Sequence, residues 1–139
     1  MDLGLKMKQN AGEFPDKAAI IFNDKIATYR ELNDRAARFG NAIASFGQKP
    51  KSRVAVIMRN RTEYLEIIHG LVKAGMTLVP VNWRLAPEEM RYVIDNSDAS
   101  AVVVSSEFLE KLTPIMKELP KVAPGNYIHL GGDCAAGMH

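Results

Sequence analysis

The sequence predicts an α/β fold: an N-terminal β-hairpin and a long helix, followed by βαβ units that form a mainly parallel, partly incomplete sheet. Three observations predict it. From residue 53 onward, short apolar runs alternate with amphipathic stretches of roughly 10–15 residues, the rhythm of βαβ crossovers. Those runs (RVAVIM at 53–58, TLVPV at 77–81, AVVV at 101–104 and YIHL at 127–130) are almost continuously apolar, as parallel strands buried on both faces are. Ahead of them, a strand–turn–strand pattern leads into a helix with a capping signature.

Each element follows from its residues. Residues 2–12 form a short helix with Leu3, Leu5 and Met7 as its apolar side chains, and Pro15 stops it at or before Phe14. Residues 17–28 read as a hairpin. Asn23-Asp24 is its two-residue turn, because both residue types tolerate positive φ. Thr28-Tyr29-Arg30-Glu31 matches a capping box, in which the Thr hydroxyl and the Glu carboxylate each accept the other residue's backbone N–H. Leu32, Ala36, Phe39, Ile43 and Phe46 then share one helical face, and Gly47 suits the left-handed C-terminal position. After the 53–58 strand, Thr62 is placed to cap a helix that carries Leu65, Ile68, Leu71 and Val72 and ends at Gly75. Pro87 fits the first turn of the next helix, with Met90, Val93 and Ile94 facing inward. Residues 107–119 form a helix with Leu109, Leu112, Met116 and Leu119 on its apolar side, which Pro114 kinks or splits. Residues 1–130 thus form one α/β subdomain, and 131–139 an irregular tail.

Composition narrows the function classes. The chain has 139 residues, is 47% hydrophobic and 24% charged, and so is an ordinary globular domain. Eighteen basic against 16 acidic residues give +2, with no basic run interleaved with aromatics, which gives a nucleic-acid role no support. Lys49-Pro50-Lys51-Ser52-Arg53 is a solvated loop. Cys134 is the only cysteine, so no internal disulfide forms. No run approaches the roughly 20 apolar residues of a membrane span, and the N-terminus lacks the apolar core of a secretory signal. A soluble, cytoplasmic protein is expected.

No complete catalytic constellation stands out. Neither G-x-G-x-x-G nor G-x-x-x-x-G-K-[ST] is present; Gly131, Gly132 and Gly137 come nearest, without a Lys, Ser or Thr among them. His69, His129 and His139 are not spaced as metal ligands, and one cysteine completes no zinc site. A Ser–His–Asp or Cys–His set assembled in space stays open, unsupported by any local signature. Glu63/Glu66 and Glu88/Glu89 lie in first helical turns, where they complement the helix dipole by about 0.3–1 kcal/mol each. Trp83 is a core or interface anchor.

Several segments, in this order, resemble the N-terminal portion of the AMP-forming acyl-CoA synthetases, within the adenylate-forming ligases. The likeness starts at Pro15-Asp16-Lys17-Ala18-Ala19, runs through about Val104 and continues more loosely to Leu130. Ala27-Thr28-Tyr29-Arg30-Glu31-Leu32 resembles the first core motif of that family. Arg53-Val54-Ala55-Val56 with Asn60 and Glu63 resembles the next strand–helix unit. The stretch 71–82 (LVKAGMTLVPVN) resembles the second core motif, and Trp83-Arg84-Leu85-Ala86-Pro87-Glu88-Glu89 extends it in the manner of fatty-acyl and related carboxylate-activating members.

The resemblance implies a reaction in which a carboxylic acid and ATP give an acyl-adenylate and pyrophosphate, and coenzyme A displaces AMP to form the thioester, with Mg2+ assisting. It also implies that Arg84 and Arg91 are counterparts of basic residues that hold the CoA nucleotide. The matched motifs are otherwise scaffold, and no catalytic or metal-binding residue is assigned. Two departures lie within the match: 48–52 (QKPKS) replaces a Gly-Asp lead into the strand, and Arg61-Thr62 stands where relatives often carry a small residue and proline. The family's Ser/Thr/Gly-rich phosphate loop, its ribose-binding aspartate and its C-terminal lysine have no counterpart here. The chain alone is therefore expected to be inactive, its partner being the remainder of the ligase or a second copy docked on an exposed apolar face. Two further readings stand beside this one: a non-catalytic oligomerising or binding module, and a small Rossmann- or flavodoxin-like nucleotide binder.

Overall fold

A computed structural model describes residues 3–131. The elements are α1 (Leu3–Glu13), β1 (Ala18–Phe22), β2 (Lys25–Thr28), α2 (Tyr29–Ser45), β3 (Arg53–Ile57), α3 (Thr62–Lys73), β4 (Thr77–Pro80), α4 (Pro87–Asn96), β5 (Ala101–Ser105), α5 (Leu109–Leu112) and β6 (Tyr127–Leu130). They form a small antiparallel hairpin and a four-stranded parallel sheet, an α/β fold. The chain packs as two compact units. One takes the chain up to Pro50 together with Asn60–Met76; the other takes Lys51–Arg59 and the chain from Thr77 onward. Among the described residues, no helix is long and apolar enough to cross a membrane.

The first unit holds the hairpin, α1, α2 and α3. Asn23 alone of the two turn residues adopts positive φ (52°), so the tight turn needs a left-handed residue only at its first position. The capping box on α2 forms as expected: Glu31 N–H donates to Thr28 Oγ1 at 3.2 Å, and Thr28 N–H donates to Glu31 Oε2 at 2.8 Å. The Thr28 backbone N–H, followed by the Thr28 hydroxyl, holds the Glu31 carboxyl below the usual carboxylate range. Helices α2 and α3 meet backbone to backbone. A Cβ built on Gly40 would stand 2.6 Å from the Gly70 carbonyl oxygen, and one on Gly70 would stand 2.7 Å from that of Ala36. Lys73 Nζ donates to Asn33 Oδ1 across the same pair of helices.

Three local expectations for this unit are corrected. Arg61, not Thr62, is the N-cap of α3, with extended φ/ψ (−154°, 175°) and no side-chain cap bond; Thr62 is already helical. Glu66 lies beyond the first turn and pairs with Arg35 at 3.1 Å instead of complementing the dipole. Leu65 is 38% exposed, because Ile67, Gly70 and Leu71 occupy the inward face. Leu3 and Leu5 are likewise exposed, and Met7 is the apolar side chain that α1 buries.

The second unit is built on the parallel sheet, in the order β4-β3-β5-β6. Ala55, Ile57, Val102, Val104 and Tyr127 point into one core with Met90 and Ile94 of α4 and with Phe108, Leu112 and Ile115. The alternate residues Val54, Val56 and Val103 are also fully buried, so both faces of the central strands are closed to water. Pro87 stands at the first helical position of α4, and Glu89 accepts the Ala86 N–H at 2.8 Å. Pro114 splits the expected 107–119 helix into 3-10 turns at Ser106–Phe108 and Thr113–Glu118 around the one-turn α5. At the amino edge of the sheet, Arg53 donates to Ser97 O and Asp98 Oδ2, both at 3.0 Å, and Lys121 donates to Asp98 Oδ1 at 2.8 Å. Lys121, then Arg53, holds the Asp98 carboxyl below its ordinary value. The Ser100 N–H donates to Arg53 O at 2.9 Å, and Asn126 Nδ2 donates to Ser100 O at 3.1 Å.

Candidate functional site

All four parallel strands end on one edge, so the residues that follow them are brought together whatever their separation in sequence. The chain steps from β3 outward to β4 in one direction and from β5 outward to β6 in the other. The order therefore reverses between β3 and β5, and the crevice outside the carboxyl ends at such a reversal is where open α/β sheets bind ligands. Arg59 follows β3, Asn82, Trp83 and Arg84 follow β4, Ser106, Glu107 and Phe108 follow β5, and Gly131 follows β6.

An aromatic–guanidinium stack occupies this edge. The half-buried Trp83 ring stacks on Phe108, with centroids 5.5 Å apart and planes 23° from parallel. The Arg59 guanidinium carbon lies 4.3 Å from the Trp83 centroid and 5.9 Å from that of Phe108, and that of Arg84 lies 4.4 Å from Trp83. Such contacts are worth about 0.5–1 kcal/mol each at exposed positions. Arg59 also meets Glu107 at 3.5 Å, an ion pair that joins the loops on either side of the reversal. The 82–85 loop is fixed from two sides: the Arg84 N–H donates to Asn82 Oδ1 at 3.0 Å, and Lys111 Nζ donates to Trp83 O and Leu85 O, each at 3.0 Å.

The same edge pairs Ser106 with His129, with 2.9 Å between Oγ and Nε2. Ser106 Oγ also reaches Leu130 O at 3.2 Å and Gly131 O. A hydroxyl has one proton, and carbonyls only accept. The network is satisfied when Nε2–H donates to Oγ and the hydroxyl proton goes to a carbonyl. A nucleophilic serine needs the opposite polarity, and it needs a carboxylate on the other ring nitrogen. His129 Nδ1 is buried and has no partner among the described residues. Among the described residues the pair is thus a structural clasp between the ends of β5 and β6, without the carboxylate a triad needs.

The two expected arginines part company. Arg84 is exposed at the carboxyl edge, and among the described residues it forms no ion pair. Arg91, one turn into α4, is held by Glu88 at 2.9 Å and Glu118 at 3.4 Å, and these raise its pKa, the Glu88 hydrogen bond foremost. The half-buried His69 sits on α3 with its pKa lowered by burial, then by Lys73. Glu63, Glu88 and Glu89 lie in first helical turns. Cys134, His139, Gly132 and Gly137 lie outside the described residues, as does the tail from residue 132. Sequence reasoning passed over Arg59, Glu107, Phe108 and Lys111. One signal could have found the first three: each follows an apolar strand directly or within three residues, where a parallel sheet presents its carboxyl edge.

The chain is similar to several known proteins. A family model described as AMP-binding enzyme matches residues 7–135. The chain is 36% identical over 112 residues to 4-hydroxybutyrate--CoA ligase 2 of Metallosphaera sedula, covering 80% of this chain and 20% of that protein. It is 34% identical over 119 residues to the medium/long-chain-fatty-acid--CoA/3-oxocholest-4-en-26-oate--CoA ligase of Mycobacterium tuberculosis, covering 86% and 22%. The crystal structure of the anthranilate CoA ligase AuaEII in complex with anthranoyl-AMP superposes with a TM-score of 0.91 at 24% identity, over 99% of this chain and 26% of that one, a likeness of fold. The chain thus spans about a fifth of the length of the curated relatives it matches.

Proposed function

The chain belongs to the AMP-binding enzyme family, and on that premise we propose that it is the N-terminal segment of a ligase that converts a carboxylic acid, with fatty acids the favoured class, into its CoA thioester through an acyl-adenylate. Both curated relatives above are named as CoA ligases, one of them for medium- and long-chain fatty acids. One observation carries the reading on this chain: the exposed Arg84 guanidinium stands at the carboxyl edge of the sheet, with no carboxylate paired to it among the described residues. A guanidinium presents in-plane N–H donors that match phosphate geometry, so Arg84 fits a phosphate of the CoA nucleotide. Arg91 serves the same ligand only by exchanging Glu88 or Glu118 for it. Among the described residues, no three His, Cys, Asp or Glu side chains gather as metal ligands, and no step is assigned to Mg2+ on this chain. ATP would supply the adenylyl group that activates the acid. The sequence has no Ser/Thr/Gly-rich loop with a lysine to stabilise the phosphates, so on this reading the chain by itself, a cytoplasmic protein, does not turn over.

Two measurements test this. Pyrophosphate exchange with fatty acid, ATP and Mg2+ should stay at background, and acyl-dependent exchange would refute the claim of inactivity. Calorimetric titration with adenosine 3′,5′-bisphosphate should show binding that Arg84→Gln weakens at least several-fold and Arg91→Gln weakens less. Equal loss in both variants would remove Arg84 from its role.

A second reading has its own observation. Ile21 and Ile26, cross-strand partners on the hairpin, are 72% and 65% exposed, and Phe22 and Leu65 are exposed nearby. Ile21, Phe22 and Leu65 border a largely apolar cavity of about 390 Å3 that Ile20, Tyr64 and Ile68 also line. An apolar face of this kind suits the remainder of a ligase or a second copy of the chain. Light scattering at rising concentration should show association, and a monomer throughout would count against self-docking.

A further inference from the structure

Resting on the reading of Arg84 as a phosphate contact, we infer that Trp83 is its positioning residue, holding the guanidinium ready before the ligand arrives. A free arginine side chain samples many rotamers, and binding has to freeze them. The Arg84 guanidinium already lies 4.4 Å from the Trp83 centroid. Among the described residues no hydrogen bond uses the Arg84 side-chain N–H groups, so these donors stay free for an anion while the cation rests over the ring. The ring is itself fixed, by Phe108 at 5.5 Å and by Arg59 at 4.3 Å. The backbone on both sides of Arg84 is fixed too: Lys111 donates to Trp83 O and Leu85 O, and Asn82 accepts the Arg84 N–H.

The stack also separates the roles of its two cations. Arg59 spends its charge on Glu107 at 3.5 Å. Arg84 has no such partner among the described residues and keeps its charge for a ligand. Phenylalanine at position 83 would keep a π face for Arg84, whereas leucine would keep bulk and lose the face.

Two readouts on the whole chain test this. The first is the NMR relaxation of the Arg84 Nε–Hε group. It should report an ordered side chain in the parent and in Trp83→Phe, and a mobile one, with an order parameter below about 0.6, in Trp83→Leu. The second is titration with adenosine 3′,5′-bisphosphate, in which Trp83→Leu should weaken binding about tenfold and Trp83→Phe by less than about threefold. Equal Arg84 mobility in the parent and in Trp83→Leu overturns the inference, whatever the titration shows. A parent chain that binds no bisphosphate but orders Arg84 only when an aromatic stands at 83 refutes the phosphate reading and leaves the positioning role standing.

Discussion

The two units of the chain spend their apolar residues differently. In the sheet unit, β3 and β5 bury every side chain except that of Arg53, and Tyr92 is the one large apolar side chain left exposed among the described residues. In the hairpin unit, Leu3, Leu5, Phe14, Ile21, Phe22, Ile26 and Leu65 are all exposed. The sheet unit also carries the stack of charged and aromatic side chains, because its parallel strands deliver successive loops to one edge. A parallel sheet thus completes a core and gathers polar groups in one place; a hairpin resting on helices does neither, and its outer face keeps its oil. Among the described residues, the exposed large apolar side chains therefore lie mostly in the hairpin unit.

Substitutions can break this contrast, starting with the largest effect. Leu112→Ala, in the fully buried core of the sheet unit, should cost about 2–5 kcal/mol in chemical denaturation. A smaller loss would mean that this core collapses around the gap. In the hairpin unit the sensitive point is a glycine. Gly70→Ala drives a Cβ against the Ala36 carbonyl and against Phe39 and should cost about 1–3 kcal/mol, while Gly12→Ala, with nothing within 4 Å, should be neutral or slightly stabilising. Equal outcomes would show that α2 and α3 part without strain.

Smaller effects sharpen the comparison. The folded pKa of His69 lies below its ordinary 6.5, so the unfolded chain takes up the proton first. Stability conferred by neutral His69 is present above 6.5 and declines as the pH falls below it, towards the folded pKa. Denaturation midpoints should show this slope in the parent and lose it in His69→Gln; an unchanged slope would assign it to other groups. Smallest in stability should be Ile21→Thr, within about 0.5 kcal/mol by thermal melting, since this side chain is 72% exposed. A larger cost would mean that the outer hairpin face is already covered.

Much of the fold was legible because its signals are local. The capping box at Thr28 and Glu31, the Asn23-Asp24 turn, Pro87 at a helix start and the break at Pro114 each depend on a few adjacent residues. So does the order of strands and helices, which periodicity reports. The site was legible only in part. Arg84 and Trp83 stood out as residues, but their meeting with Arg59, Phe108 and Lys111 depends on strand order, a property of distant pairings that no local pattern carries. The N-cap at Arg61 was misplaced by one residue because Thr62 has the better capping side chain, yet the backbone turns helical one residue earlier than that preference implies. The exposure of Leu65 was missed because Ile67, two positions on and so on nearly the opposite side of the helix, is the residue that turns inward.

The burial of β5 on both faces has a consequence for how the chain finds its pairing. Val102, Val103 and Val104 are identical, so over the middle of the strand a one-residue slide exchanges valine for valine, and only the ends at Ala101 and Ser105 change character. Hydrophobic patterning thus offers this strand little protection against misregistration. Discrimination falls to the polar residues at its entrance: the Ser100 N–H on Arg53 O, the Asn126 amide on Ser100 O, and Asp98 between Arg53 and Lys121. They act as an index mark, lost entirely on a one-residue slip, and they lie at the edge of the sheet opposite the one that holds the arginine stack.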